Sequence, residues 1–455
     1  MDIRAKKIYQ AEFLLEDIRE LLRKTSPKHE FSAAQRKEFD DKLKVLRKVL
    51  DELERNEGAD PPKYITDKIE VRTKEEEFIN IHPIQPGGRL TPEARKALIA
   101  YGDGYATCDW CFKPFRLDMV KRPPIYEFCQ ELAEFVGMDV ARVVRGARRG
   151  FQIIMGSLLE RGDIVLISSL GHYSMALAIE SVGGIWKEVP LNENNIVTAE
   201  NTADKIEEVK GETGKYPKLI AISHYDYMLG NEHDIHGIAK VAKEYDIPFL
   251  DNEAYGIGVR PVNGKEIGAD FVVGSGHKSF AAPAPTGILA TTEEYKDKVF
   301  ATTVLSGDVT GRKFGIKETY LLGCTVMGAP LIAMMASFPR VKERVKQWDE
   351  EVEKSNYFIN EFLKIEGNNV LSEMPRKHTL SKVDSTESFN RIASRHKRRG
   401  YFLYDELYKR RILGIFPGAT KQYKLNVYGL TWDQIRYLAD AFKEIAEKHG
   451  LHVSD

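Results

Sequence analysis

The sequence predicts an α/β protein with a mostly parallel sheet, organised as more than one domain and preceded by a helical arm. Three observations carry this. From about residue 79 onward, apolar runs of strand length alternate with amphipathic runs of helix length, the pattern of a parallel-rich sheet covered on both faces. Residues 1–60 instead are Gly-poor and charged, with apolar positions three and four residues apart. The 455 residues also exceed the ~250–300 at which a single core stops growing.

The elements follow in order. Ile8, Ala11, Leu15, Ile18 and Leu22, then Phe39, Leu43, Leu46, Leu50 and Leu53, mark the seams of a helical hairpin. Ser32 with Gln35 suits a capping box at the start of its second helix. Asp60-Pro61-Pro62 begins a linker, so residues 1–78 form an extension. Strands are expected at 164–168, 184–189, 219–223, 248–250, 271–274 and 287–291, with helices at 175–182 and 235–245. A helical stretch over 330–363 is expected to break near Pro339. This divides the remainder into a large domain at 79–329, with a cysteine-bearing arm at 79–112, and a small α/β domain at 330–455.

Composition excludes several classes. Net charge is −1, so nucleic acid has to be held by a local patch rather than a global field. No apolar run reaches the ~18 residues that span a bilayer, and Met1–Lys7 has no signal-peptide stretch. Four cysteines are too few for a disulfide framework, which points to the reducing cytoplasm.

Chemistry is densest around Lys278. Asp270–Ser279 reads as a buried strand opening through Ser275-Gly276-His277 into a lysine. Small residues there let a flat ligand approach the backbone, and a desolvated lysine suits a Schiff base to pyridoxal phosphate (PLP). Upstream, Arg145–Gly150 precedes a helical run, so Gly146-Ala147 offers free N–H groups to a phosphate and Arg148 adds a cation. His172 in Gly171–Ser174 suits a ring stacked on the cofactor, or alternatively a helix cap. Asn231 suits the cofactor's phenolic oxygen, or an ordinary turn. The strand ending near Leu250 leads into Asp251-Asn252-Glu253-Ala254-Tyr255, where Asp251 and Asn252 compete for the pyridine nitrogen.

The ordered set Gly146-Ala147-Arg148, His172, Asn231, Asn252–Tyr255 and Ser275–Lys278 resembles PLP-dependent enzymes of fold type I. Within them the chain resembles the O-phosphoseryl-tRNA:cysteinyl-tRNA synthase family of archaea. The narrowing segments are Asn80–Gly88, Tyr101–Cys111, Leu322–Thr325 and Gly414–Gly418; Pro86 departs from the family's pattern. The resemblance implies a seven-stranded, mostly parallel sheet in the large domain, a homodimer, and PLP held by Ala147, Arg148, His172, Asn231, Asp251 or Asn252, Ala254, Ser275, His277 and Lys278. It implies that Lys278 removes the Cα proton of phosphoseryl-tRNA(Cys), that phosphate leaves Cβ, and that sulfur adds there to give cysteinyl-tRNA(Cys). Cys108, Cys111 and Cys324 would carry the sulfur, either as a persulfide relay or as ligands of an iron–sulfur cluster. Cys129 reads as core.

Arg89 and Arg149 are candidates for the phosphoseryl group. For tRNA the richest patch is 391–411, where Arg395, Lys397, Arg398, Arg399, Lys409, Arg410 and Arg411 interleave with Tyr401, Phe402 and Tyr404. Two other readings compete: a PLP-dependent cysteine desulfurase or sulfhydrylase acting on a free amino acid, and a silent scaffold whose hairpin tethers a phosphoseryl-tRNA synthetase or accessory protein. No cysteine follows Cys324, which disfavours a desulfurase with a mobile downstream nucleophile.

Overall fold

The computed structural model separates the chain into two units, Met1–Phe78 and Ile79–Asp455. It describes residues 3–25, 30–57, 64–66, 69–70, 78–101, 106–107, 122–315, 317–322 and 326–454.

In the first unit, α1 (Ile3–Lys24) and α2 (Ala33–Glu57) form a hairpin. The capping box is present: the Ser32 N–H donates to Gln35 Oε1 at 2.9 Å, and the Gln35 N–H donates to Ser32 Oγ at 3.3 Å. The seam differs from expectation on α1. Ala11, Leu14, Ile18 and Leu21 turn inward toward Leu46 and Val49, while Ile8, Leu15 and Leu22 are exposed. Both sets step by three and four, so spacing alone does not distinguish adjacent stripes of one helix. On α2, Leu50 is likewise exposed and Val49 takes the inward place.

The second unit is built on a seven-stranded sheet. Its strands are β1 (Val140–Val144), β2 (Ile164–Ser168), β3 (Ile185–Val189), β4 (Leu219–Ser223), β5 (Phe249–Glu253), β6 (Phe271–Ser275) and β7 (Gly287–Thr291), in spatial order β1-β7-β6-β5-β4-β2-β3. All neighbours are parallel except the pairs made by β7, which runs antiparallel to β6 and β1. Core side chains alternate along the central strands. Leu166, Ile220, Phe249 and Val272 belong to one apolar cluster, and Val165, Leu219, Leu250 and Phe271 to another. Both faces are therefore covered, as parallel strands require. Helices α3 (Ala147–Leu158), α4 (Tyr173–Glu180) and α5 (Ile235–Glu244) supply parts of that cover.

Helix α6 (Gly328–Arg344) runs through Pro339 without a break; the interruption falls at the 3-10 turn Val345–Gln347, before α7 (Trp348–Leu363). Proline removes one backbone donor, but Leu331, Met334, Phe338 and Val341 bury a continuous stripe that holds the helix across it. A three-stranded antiparallel sheet, β8 (Asn369–Val370), β9 (Leu380–Asp384) and β10 (Gln422–Asn426), packs with α7 and α8 (Trp432–Lys448) around its own apolar cluster.

Replacing Ser32 by Ala removes the Oγ that accepts from the Gln35 N–H, leaves the backbone bond to Gln35 Oε1, and weakens the first turn of α2 by about 1 kcal/mol. Hydrogen exchange on the full chain should show roughly fivefold faster opening there, with Ile79–Asp455 unchanged.

Candidate functional site

A cavity of about 550 Å³ opens at the carboxyl ends of the central strands, the usual ligand position of an open α/β sheet. Lys278 reaches it from a single helical turn, Gly276–Ser279, directly after β6. That turn is clamped from outside. The buried Arg344 guanidinium donates to the carbonyls of Ser279, Gly87 and Gly258 at 2.7, 2.8 and 2.7 Å. Gly87 packs so closely that a Cβ would lie 3.0 Å from Ser279 Cα and 3.1 Å from the Lys278 carbonyl oxygen. The Gly-Gly step is thus a close approach of backbone to backbone.

The lysine amine lies 4.5 Å from the Tyr255 ring. Burial, with Lys424 and Arg148 as positive neighbours, brings its pKa down to about 8. About one fifth is then neutral near pH 7.4, against about a thousandth for an ordinary lysine, and the neutral form is what a nucleophile or general base requires.

Around it stand most of the residues singled out in sequence. Gly146, Ala147 and Arg148 line the cavity at the start of α3, and Ser275, His277, Ala254 and Asn252 line it from the strand ends. A Cβ on Gly287 would sit 2.6 Å from the Gly146 carbonyl carbon and 2.8 Å from the Ala147 nitrogen, so only glycine permits this closure of the cradle. His172 is the cap of α4 and a lining residue of the cavity. Its Nδ1 accepts from the Ser174 N–H at 3.3 Å, and its ring faces the cavity. Burial and the cations Lys278, Arg148 and Lys424 hold it neutral, with a pKa near 4. Tyr173 and Tyr227 flank it, ring centres 4.3 and 5.0 Å away.

The competition between Asp251 and Asn252 resolves on strand register. Asn252 pairs with Ser223 across β5–β4 and lines the cavity, its Nδ2 donating to Ser223 Oγ at 2.9 Å. Asp251 is not among the lining residues. It points to the other face, where it meets His224 at 3.2 Å beside Glu253 and Arg260. There Glu253 and Asp251 outweigh burial and hold His224 charged, while Arg260 and His224 hold Glu253 ionised.

Asn231 also departs from expectation. It is fully buried, its Oδ1 accepting from the Glu373 N–H at 2.8 Å, and it braces a loop rather than lining the cavity. Arg149 is spent on the Tyr320 carbonyl, and neither it nor Arg89 lines the cavity. Cys129 is buried and burial raises its pKa to about 11, consistent with core. Cys108, Cys111 and Cys324 lie outside the described residues. Sequence reasoning missed Lys424 and Tyr227; Lys424 comes from β10 of the small sheet, and nothing in Gln422–Asn426 marks it as different from any alternating strand.

This geometry has counterparts among known proteins. A family model described as O-phosphoseryl-tRNA(Sec) selenium transferase, SepSecS, matches residues 163–447. An O-phospho-L-seryl-tRNA:Cys-tRNA synthase 1 of Methanococcoides burtonii is 61% identical over 450 residues, 99% of this chain and 98% of that protein. The chain belongs to the O-phospho-L-seryl-tRNA:Cys-tRNA synthase family. A solved structure described as a SepCysS–SepCysE N-terminal domain complex superposes with a TM-score of 0.76 at 42% identity, covering 86% of this chain and 100% of that chain. A cysteine desulfurase of Thermococcus onnurineus gives a TM-score of 0.62 at 15% identity, covering 82% and 96%, a likeness of fold alone. The fold is PLP-dependent fold type I, as the family's members share.

In cofactor-free protein, NMR of the methyl-labelled Lys278 amine should titrate with a midpoint near pH 8. Lys424→Gln removes a positive neighbour, favours the ammonium, and should move that midpoint upward.

Proposed function

We propose that this protein converts O-phosphoseryl-tRNA(Cys) to cysteinyl-tRNA(Cys) in the cytoplasm, with PLP bound in the cavity at Lys278. The observation that carries the reading is the desolvated Lys278 amine, at a pKa near 8, in a wall that supplies a helix N-terminus, a neutral imidazole and the three cations Arg145, Arg148 and Lys424. The residues fit the cofactor. Gly146 and Ala147 with Ser275 and His277 suit its phosphate, His172 suits the face of its ring, and Asn252 suits its pyridine nitrogen. When bound, PLP supplies the delocalisation that makes a Cα proton removable.

The chain's own residues do the rest. Lys278 takes the Cα proton as its neutral amine. The bond from Cβ to the phosphate oxygen breaks with its electron pair on phosphate, a sulfide-level sulfur forms the new bond at Cβ, and the Lys278 ammonium returns the proton to Cα. Neutral His172, hydrogen-bonded through Nδ1 to Ser174, presents a flat surface and adds no charge. Asn252, an amide where a carboxylate would hold a proton on the ring nitrogen, makes the site a milder electron sink, adequate when a phosphate leaves readily.

Cys108, Cys111 and Cys324 carry the sulfur in this reading, as iron–sulfur ligands that hold a sulfide, or as a persulfide relay in which a second of these thiols reduces the disulfide first formed with the product and an external dithiol reduces the resulting enzyme disulfide. Support comes from the short antiparallel pairing of Thr107 with Val326, because Cys108 follows the one in sequence and Cys324 precedes the other by two residues. A homodimer fits the exposed apolar segment that carries Val304 and Val309, 90% and 89% exposed. The hairpin, with Phe13 at 72% exposure, is the arm for a phosphoseryl-tRNA synthetase or accessory protein. Functionally we read 79–329 as the PLP-binding part and 330–455 as the small domain.

For tRNA, the basic patch narrows. Arg398 pairs with Asp405 at 2.7 Å, Lys409 and Arg410 pair with Glu406, and Phe402 is buried. Arg395, Lys397 and Arg399 are exposed and have no carboxylate partner among the described residues. Tyr401 is exposed beside them, and Phe416, 73% exposed, lies on the loop whose Gly418 abuts Gly400. Cations with exposed rings suit the unpaired acceptor end.

Incubation with phosphoseryl-tRNA, PLP and sulfide, followed by analysis of the esterified amino acid, tests the reading; cysteine on tRNA is expected, with free phosphoserine a poor substrate. Turnover of free phosphoserine at equal efficiency sinks it. Lys278→Ala should abolish the visible absorbance of the bound cofactor, whereas Cys108→Ala or Cys324→Ala should block cysteinyl-tRNA formation and leave that absorbance in place. Affinity for tRNA should fall with salt by about 0.7 log units per decade for each phosphate contact, and Lys397→Ala should lower that slope by about one contact.

A further inference from the structure

The cavity is more cationic than one cofactor requires. Arg145, Arg148, Lys278 and Lys424 line it, and no carboxylate does so among the described residues. The cofactor's single phosphate already has a cradle at the start of α3, where Gly146 lies beside His277 and a Cβ there would be 3.8 Å from the imidazole Cε1. Lys424 is held elsewhere, on the Tyr227 side of the His172 ring. Its Nζ donates to the Tyr227 carbonyl at 3.0 Å and lies 5.2 Å from the Tyr227 ring centre.

An ammonium has three donors, and that carbonyl takes one. The other two meet no protein acceptor among the described residues, and Lys424 makes no ion pair among them. Its neighbours make matters worse for the charge. It is half-buried, it stands directly opposite Lys382 in the β9–β10 register, and like charges so paired repel. Burial, then Lys382, push its pKa down. The placement is nonetheless rigid. The neighbouring Arg376 is fully buried and donates to carbonyls of Gly230 at 2.8 Å and of Leu380, tying the strand beside Lys424 to the 226–231 loop. Asp226 is the carboxylate that favours the Lys424 charge, but it makes no ion pair with it and is spent on the backbone N–H groups of Met228, Leu229 and Asn231. A cation fixed without a direct carboxylate partner, with free donors toward a ligand cavity, is one arranged for an anion that arrives with the ligand.

We propose that Lys424 forms a second phosphate subsite that binds the phosphate of the phosphoseryl group and thereby selects phosphoseryl over seryl substrates. The inference rests on the proposed reaction. As the Cβ–O bond breaks, the electron pair passes to the departing phosphate, and the Lys424 ammonium donates hydrogen bonds to the charge that grows there. The small domain therefore contributes a specificity-determining cation to a site otherwise built by the large sheet.

The test is binding of inorganic phosphate to PLP-saturated enzyme, read by phosphorus NMR and calorimetry, so that the cofactor's own phosphate site is already filled. Wild type should bind phosphate. Lys424→Gln should weaken it at least about tenfold, the value of a charge-assisted hydrogen bond, with the cofactor's absorbance unchanged. Lys424→Arg should restore most of the affinity, and Lys382→Gln should change it less than about twofold. In the aminoacyl-tRNA assay the Lys424→Gln loss should appear for phosphoseryl-tRNA, with phosphate no longer an effective competitor. Equal phosphate affinity in wild type and Lys424→Gln overturns the subsite while leaving cysteinyl-tRNA formation intact. A wild-type enzyme that makes no cysteinyl-tRNA overturns the reaction reading and the subsite with it.

Discussion

The parallel register between β4 and β5 is the constraint on which the site depends. Ser223 stands opposite Asn252, and because side chains alternate with period two, that single pairing assigns every polar residue of both strand ends. Ser223, Asn252 and Ala254 go to the cavity, while His224, Asp251 and Glu253 go behind it. A slip of one residue would exchange the two sets. It would bring two carboxylates into a cavity that otherwise contains only cations and neutral groups. The buried cluster behind the sheet opposes such a slip, since separating Arg260 and His224 from Glu253 would leave charges buried and unpaired, at a cost of several kcal/mol.

A second layer of positioning holds the lysine. Arg344 closes α6 and converts three separate backbone carbonyls, from residues 87, 258 and 279, into one rigid assembly. Its guanidinium fork has the donors to do this at once. The Pro86–Gly88 turn can approach only because it carries no side chains at 87 and 88. The segment before the first large helix is therefore part of the lysine's support. The lowered pKa at Lys278 then follows from burial among cations that are themselves fixed.

Legibility in the sequence followed the range of the interaction. β2, β4 and β7 are bounded as the apolar runs predict, because a fully buried strand writes its limits into consecutive residues. The helix start at 146–148 and the Ser275–Lys278 turn, both at the cavity, were readable for a similar reason: local backbone geometry demands small residues in order. Side-chain direction was not readable. Asp251 and Asn252 are equally polar and adjacent, and only the register with β4 separates them. Asn231 looked like a ligand because Gly230-Asn231 is a turn at a strand end, yet its amide is consumed by Glu373, 142 residues away. On α1 Ala11 and Ile18 hold their expected places while Leu14 and Leu21 replace Leu15 and Leu22, because two overlapping stripes share one period and the partner helix chooses between them.

Lys424 illustrates the limit most clearly, and it also shows why the three-stranded sheet matters to the cavity. Within its own strand it is an ordinary half-buried residue between Tyr423 and Leu425, both of which face the apolar cluster of the three-stranded sheet. Alternation sends it the other way, and the links from Arg376 and from Lys424 itself to the 226–231 loop bring that face to the cavity mouth. The cavity's positive field is thus a product of two sheets meeting, one supplying Lys278 and the helix N-terminus and the other supplying Lys424. The same field lowers the Lys278 pKa and keeps His172 neutral. A phosphate entering near Lys424 would partly neutralise it, and the lysine amine would then become more basic as the substrate arrives. The proton acceptor would strengthen while the substrate supplying the proton is in place, a coupling that neither sheet provides alone.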